Sequence, residues 1–217
     1  MNIKVLVVIA AMGVGLSAHA EFPQRAEANK ILGAYLETNA GKDAGTINGS
    51  VGVKEQSRIC GYCHGEDGNS RHSEIPSLAG QNPRYIVEQL LMFKKKLRRY
   101  PNVMHTYAKQ MTPNTMATIA LHFAALPRRV PGGVDTAKAA GGEELYKSLC
   151  ANCHGMDGKG TNDAYSAIQA QWPDYIALSL KRFRDGSSGR HSHEMQVAAR
   201  GLTDLEIDSL AHYVAGL

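Results

Sequence analysis

A chain of 217 residues is long enough for one large domain or two small ones. Its 24 Lys and Arg against 20 Asp and Glu leave a formal charge of only +4. So small an excess argues against a nucleic-acid partner.

Residues 1–20 read as a separate object. Met1 to Lys4 are a cationic start, Val5 to Leu16 are uncharged and mostly apolar, and Ala18-His19-Ala20 is a small-x-small cleavage pattern. A spanning helix needs about 20 apolar residues, so the run predicts a cleavable signal peptide rather than an anchor. Loss of Lys4, and of no acid, lowers the mature charge from +4 to +3. The expected product is exported and soluble, on the pattern of a periplasmic protein.

Residues 21–50 read as an N-terminal packing arm without chemistry. Ile31, Leu32, Tyr35 and Leu36 predict one helical face. Gly41 to Ser50, rich in Gly, Asn, Thr and Asp, predicts a loop.

The four cysteines form Cys60-Gly61-Tyr62-Cys63-His64 and Cys150-Ala151-Asn152-Cys153-His154. Export raises the expectation of disulfides, and a Cys-x-x-Cys pair also suits a redox dithiol or half of a zinc site. The redox dithiol belongs near a βαβ pattern, and no strand-like alternation is visible. Zinc ribbons separate their pairs by roughly 15–20 residues, against 86 between Cys63 and Cys150. Neither explains a His after both pairs. Cys-x-x-Cys-His is the attachment signature of haem c: two cysteines three apart reach two vinyl groups on one porphyrin edge, and the His can take one axial position on the iron. The sequence predicts two covalently bound haems.

From Val51 the chain repeats itself. An offset of 90 pairs Gly65 with Gly155, Asp67 with Asp157, Gly68 with Gly158, Tyr85 with Tyr175, Leu90 with Leu180 and Phe93 with Phe183. Past Met104 and Met195 the offset becomes 91. A single internal repeat of this length predicts two homologous small domains, residues 51–128 and 129–217, with 129–135 as linker beside Pro127, Pro131, Gly132 and Gly133. Each repeat predicts three helices around a haem loop. The first spans Val51 to Tyr62 in one copy and Thr136 to Asn152 in the other. The middle ones carry Ile86, Leu90, Phe93 and Leu97, or Ile176, Leu180 and Phe183. The last begin at Thr112-Pro113 and at the capping box Thr203-Asp204-Leu205-Glu206. The fold class is all-α. Repeats this short hold few large side chains, so the porphyrin is expected to be part of each core.

His64 and His154 are the predicted proximal ligands. The sixth ligand, Met, His or an open position, decides the function. Met104 and Met195 lie 40 and 41 residues after those histidines and align with each other. Met111 aligns with Leu202 and Met116 with Ile207, which reads as core. Met92, His105 and Met111 are the nearby competitors for Met104, while His191 and His193 read as surface residues. His/Met ligation raises the potential and closes the sixth position, which suits outer-sphere electron transfer and leaves no place for a small-molecule substrate.

The chain resembles the cytochrome c4 family. The resemblance rests on Cys63-His64-Gly65-Glu66-Asp67-Gly68-Asn69-Ser70, Pro76-Ser77-Leu78-Ala79-Gly80-Gln81, Tyr85 and the segment from Met195 to Ala211. It implies two tandem class I cytochrome c-like domains related by a pseudo-twofold, with haem propionates near their interface. It also implies His64/Met104 and His154/Met195 as axial pairs, and a periplasmic, often membrane-associated carrier passing electrons towards a terminal oxidase. The chain departs from the family where Ser166 replaces the Pro whose carbonyl binds the proximal His, where Gln56 faces Tyr146 in the alignment, and in its longer arm. The Ser166 change predicts two haems of unequal potential.

Lys94-Lys95-Lys96-Leu97-Arg98-Arg99 reads either as a solvated helix face or as a docking patch for an acidic redox partner or anionic lipid. Three functions compete. One is a mobile carrier between a quinol-oxidising complex or dehydrogenase and an oxidase. Another is the cytochrome subunit of a flavoprotein dehydrogenase such as sulfide dehydrogenase. The third is a dihaem peroxidase, which would need an open sixth site.

Overall fold

A computed structural model describes residues 23–40, 51–162, 165–189 and 192–217. The predicted signal peptide, the whole predicted loop from Gly41 to Ser50, and His191 lie outside them. The described residues form helices and turns without a strand, an all-α fold. No helix among them is long and apolar enough to cross a membrane.

The arm supplies α1 (Pro23–Thr38). The first repeat follows as α2 (Val51–His64), α3 (Pro83–Lys94), α4 (Val103–Gln110) and α5 (Pro113–Ala124). The second repeat is α6 (Thr136–Ala139), α7 (Glu143–Leu149), α8 (Ala151–His154), α9 (Pro173–Arg184), α10 (His193–Ala199) and α11 (Asp204–Gly216). Each half thus carries a short helix, α4 or α10, beyond the three predicted. Those two helices hold Met104 and Met195. Their brevity hides them, since seven or eight residues give too few turns for a readable apolar stripe.

Caps set the helix starts. The Asn82 side chain accepts from Arg84 N and Tyr85 N before α3. Thr112 accepts from Thr115 N, with Pro113 at the first position of α5. Thr203 and Glu206 form the predicted capping box of α11, a motif worth about 1 kcal/mol.

The helix predicted from Thr136 to Asn152 is in fact three pieces, and close packing accompanies the gap between the first two. A Cβ on Gly142 would lie 2.4 Å from the carbonyl oxygen of Ser209 and 2.8 Å from Tyr213 Cβ. The chain there slips directly under α11. The second interruption falls at Cys150, between α7 and α8.

Each half has its own apolar core. Ile86, Val87, Leu90, Leu91, Met116, Ile119 and Phe123 form the first; Tyr146, Ile176, Phe183, Ile207, Leu210 and Val214 belong to the second. The arm completes the first core by inserting Ala28 and Leu32. The reason is visible in α3, where Val87 and Leu91 add an apolar strip beside the common face. At the same places α9 has Ala177 and Lys181, and Lys181 pairs with Asp204 instead. Leu36, predicted to share the buried face, is 49% exposed. It sits at the edge of the stripe centred on Ala28, Ile31 and Tyr35 at 100° per residue. Leu32→Ala is expected to lower the stability of the holoprotein by about 2 kcal/mol, read from denaturant unfolding.

After α3 the chain reverses through Lys96, whose φ of 57° lies in the left-handed region. Leu97 N donates to Met92 O at 2.8 Å and Lys96 N to Phe93 O at 3.0 Å, a Schellman-type stop. The second half places Gly186 there, with φ 62°. Lys96→Gly should therefore stabilise the protein by about 0.5–1 kcal/mol, measurable as a small rise in the unfolding midpoint.

The halves meet through a reciprocal set of bonds. Gln171 Oε1 accepts from Ser77 N at 2.8 Å and Gln171 Nε2 donates to Ser77 O at 3.0 Å. Gln81 does the same to Ala167, at 2.8 and 2.7 Å. Gln81 and Gln171 are 90 positions apart, as are Ser77 and Ala167, so the contact follows the pseudo-twofold. Trp172 Nε1 adds a bond to Ser70 O at 2.9 Å. Arg128, in the linker region, donates to Ala79 O, Gln169 O and Ser77 O, tying the loops of both halves. Burial pulls its guanidinium down to about 10, still charged at neutral pH.

Candidate haem-binding site

The last turn of α2 presents Cys60, Cys63 and His64, and the last turn at α8 presents Cys150, Cys153 and His154. A glycine in the left-handed region stops each helix. At Gly65, φ 85°, a Cβ would stand 2.2 Å from Asn69 O, so only glycine lets the loop turn back. The loop then returns under the helix: Leu78 N and Ala79 N both donate to Gly68 O, and Ile168 N and Gln169 N to Gly158 O.

That return aims one carbonyl at each histidine. His64 Nδ1–H donates to Pro76 O at 2.8 Å and His154 Nδ1–H to Ser166 O at 2.9 Å. Nδ1 is therefore the protonated nitrogen, and the Nε2 lone pair is left for a metal. Burial lowers both imidazoles below their ordinary value, which keeps them neutral, the form that ligates. The Ser166 substitution leaves this bond intact, so it does not by itself make the two sites unequal.

All eight predicted residues, Cys60, Cys63, His64, Met104, Cys150, Cys153, His154 and Met195, line one cavity of about 660 Å³ that runs through both halves. Its walls are mainly apolar, with Leu78, Ile86, Leu90, Phe93 and Ile119 from one half and Ile168, Ile176, Phe183 and Val214 from the other. Met104 and Met195 enter from the first turns of α4 and α10 and are partly buried against their own cores. Met92 and Met111 also reach the first half of the cavity. His105 does not: its Nε2 bonds Arg98 O at 2.7 Å. His193 is exposed.

A polar group stands inside this apolar space. Arg98 is 6% exposed; it donates to Gln89 Oε1 at 2.8 Å and to Tyr175 OH of the other half at 3.1 Å, and packs on the Phe93 ring. Its Nε is buried without a partner. A buried cation lacking a carboxylate is costly, and the anionic propionates of a haem supply what it lacks. The donor set thus fits haem c: paired thiols for thioether bonds, a neutral imidazole, apolar walls for the ring and an interior cation for its acids.

The competing chemistries fit less well. Burial pushes the Cys60 and Cys150 thiols up to about 11, opposite to an activated redox pair. Among the described residues, no three His, Cys, Asp or Glu gather as a zinc site would require.

Sequence reasoning misplaced Arg98 by counting it in a basic face. The left-handed turn at Lys96 swings it inward. Lys94 Nζ donates to Met111 O at 2.7 Å and Lys95 pairs with Glu27, while Lys94, Lys95, Lys96 and Arg99 all stay exposed. Gln81, Gln171 and Arg128 were also missed. The one available signal was the exact 90-residue spacing of the two glutamines.

Two Cys-x-x-Cys-His turns facing one apolar cavity define a c-type cytochrome with two haems, an electron-transfer protein. Residues 139–217 match the family model described as cytochrome c. A cytochrome c4 of Thiocapsa roseopersicina is 34% identical over 178 residues, 77% of this chain and 91% of that protein. The crystal structure of reduced recombinant cytochrome c4 from Pseudomonas stutzeri superposes with a TM-score of 0.68 at 29% identity, covering 76% of this chain and 97% of that one. A thiosulfate dehydrogenase electron acceptor of Thiomonas intermedia is 30% identical over 168 residues, 72% of this chain and 77% of its own length. The chain belongs to the cytochrome c4 family, and its fold is that of class I cytochromes c.

Proposed function

We propose that the protein is a periplasmic dihaem electron carrier whose irons are held by His64/Met104 and His154/Met195, with haem thioethers at Cys60, Cys63, Cys150 and Cys153. Residues 51–128 and 129–217 act as two domains, one per haem. The observation that carries the reading is the convergence of all eight side chains on one apolar cavity, each histidine already oriented by a loop carbonyl. A carrier with six protein and porphyrin ligands on each iron exchanges electrons without binding substrate. Its donor is a quinol-oxidising complex or a dehydrogenase, and its acceptor a terminal oxidase. Peripheral attachment to the inner membrane fits the same role.

Likeness to a thiosulfate dehydrogenase electron acceptor favours a second reading, in which the donor is a soluble dehydrogenase. One experiment separates the two. The purified, oxidised protein is mixed either with quinol-oxidising membranes or with thiosulfate dehydrogenase and thiosulfate, and haem reduction is followed optically. Fast reduction by membranes alone supports the respiratory carrier; fast reduction by the dehydrogenase alone supports the second reading. Reduction by neither, or a spectrum altered by peroxide, contradicts both.

A further inference from the structure

Ser77 N and Pro76 O belong to the same peptide group. So do Ala167 N and Ser166 O. In the first half the carbonyl of that peptide accepts from His64 Nδ1 at 2.8 Å, while its N–H donates to Gln171 Oε1, on the other side of the interface, at 2.8 Å. In the second half the corresponding peptide accepts from His154 Nδ1 at 2.9 Å and donates to Gln81 Oε1 at 2.8 Å. Each chain of bonds starts at a glutamine in one half and ends on a histidine in the other. The glutamines are buried, 7% exposed for Gln81 and 4% for Gln171, as are Ser77 at 3% and Ala167 at 4%.

From this crossing we infer that Gln81 and Gln171 are positioning residues that tune the iron of the opposite half through the proximal histidine. Hydrogen bonds in a chain polarise one another, by roughly 10–30% per bond. A glutamine oxygen drawing on the peptide N–H makes the far carbonyl a better acceptor. That carbonyl then draws harder on Nδ1–H and raises the basicity of Nε2. A more basic imidazole favours the ferric state, so each glutamine holds down the potential of the haem it does not adjoin. Low exposure keeps water from substituting as acceptor. The same bonds dock the two halves, so docking and tuning are one set of contacts. The inference rests on His64 and His154 as proximal ligands.

The test uses the holoprotein with Gln171→Leu and Gln81→Leu made separately. Two readouts apply: a redox titration, and the Nδ1–H proton resonances of the two proximal rings in the reduced protein, assigned by through-space contacts to their own loops. Gln171→Leu should move the His64 resonance and raise the reduced-to-oxidised ratio of the first haem about threefold at fixed potential. That is about 28 mV at 59 mV per tenfold. Gln81→Leu should do the same to His154 and the second haem. Trp172→Phe removes another bond of the interface, to Ser70 O, and should leave both ring resonances in place. Gln171→Glu covers the case in which leucine loosens the interface. It keeps the acceptor with added negative charge and should shift the first haem the opposite way.

Equal movement of both haems in every interface variant, or movement only of the haem on the substituted side, would overturn the inference. So would unmoved His64 and His154 resonances. Failure of the ligand assignment itself would show differently. The unsubstituted protein would then lack the two proximal-ring N–H signals.

Discussion

The haem-free chain, made with Cys60→Ser, Cys63→Ser, Cys150→Ser and Cys153→Ser, is expected to lose its cooperative unfolding transition altogether. The cavity left without the rings is about 660 Å³. At roughly 24 cal/mol per Å³ of unfilled core, that void corresponds to on the order of 16 kcal/mol. Shared between the two halves that is about 8 kcal/mol each, comparable with the whole net stability of a domain, about 5–15 kcal/mol. Arg98 makes matters worse, because without propionates a buried guanidinium stands in an empty apolar space. Circular dichroism should retain part of the helical signal and lose the near-ultraviolet aromatic signal, the behaviour of a collapsed state without fixed packing. A sharp thermal transition with native aromatic signal in the haem-free chain would show that the rings are not core elements.

Met195→His should lower the potential of the second haem by on the order of 0.1 V, a fraction of the roughly 0.8 V range that axial ligands command. Thioether sulfur is soft and favours ferrous iron, whereas a second imidazole favours ferric iron. Met195 packs against the core of its own half, so the first haem should move little. Met104→His should shift the first haem in the same direction. That variant also decides among the methionines of the first half, since Met92 and Met111 reach the same cavity. If Met104→His leaves the first wave unmoved while a change at Met92 or Met111 shifts it, the ligand is misassigned.

How far the sequence carries depends on the distance over which each feature is decided. Cys60 to His64 and Cys150 to His154 are local motifs whose chemistry is set by spacing. The 90-residue repeat then links each to a distant methionine, because like positions in the two halves must serve like roles. Helix faces and starts, from Thr112-Pro113 to the Thr203 box, are likewise written locally. Features set by close approach of distant segments were not legible. Gly142, in the gap between α6 and α7, lies directly under Ser209 of α11. Arg98 belongs to a basic run in sequence, yet a left-handed turn at Lys96 sends it into the cavity. Ser166 looked like a lost contact, but the contact uses backbone and persists at 2.9 Å. Leu36 had the right spacing and lay at the edge of the packed stripe. The unequal potentials still expected of the two haems now have a different origin. Arg98 sits in the first half, and the aligned position in the second is Ser188.

The most direct test of the central claim is a spectropotentiometric titration of the purified holoprotein. It should give two one-electron steps, both haems low-spin in each oxidation state, with methionine sulfur-to-iron absorption in the oxidised form that accounts for two irons. A single step from one haem, or a high-spin component that binds peroxide or carbon monoxide, would contradict a carrier with two closed His/Met sites.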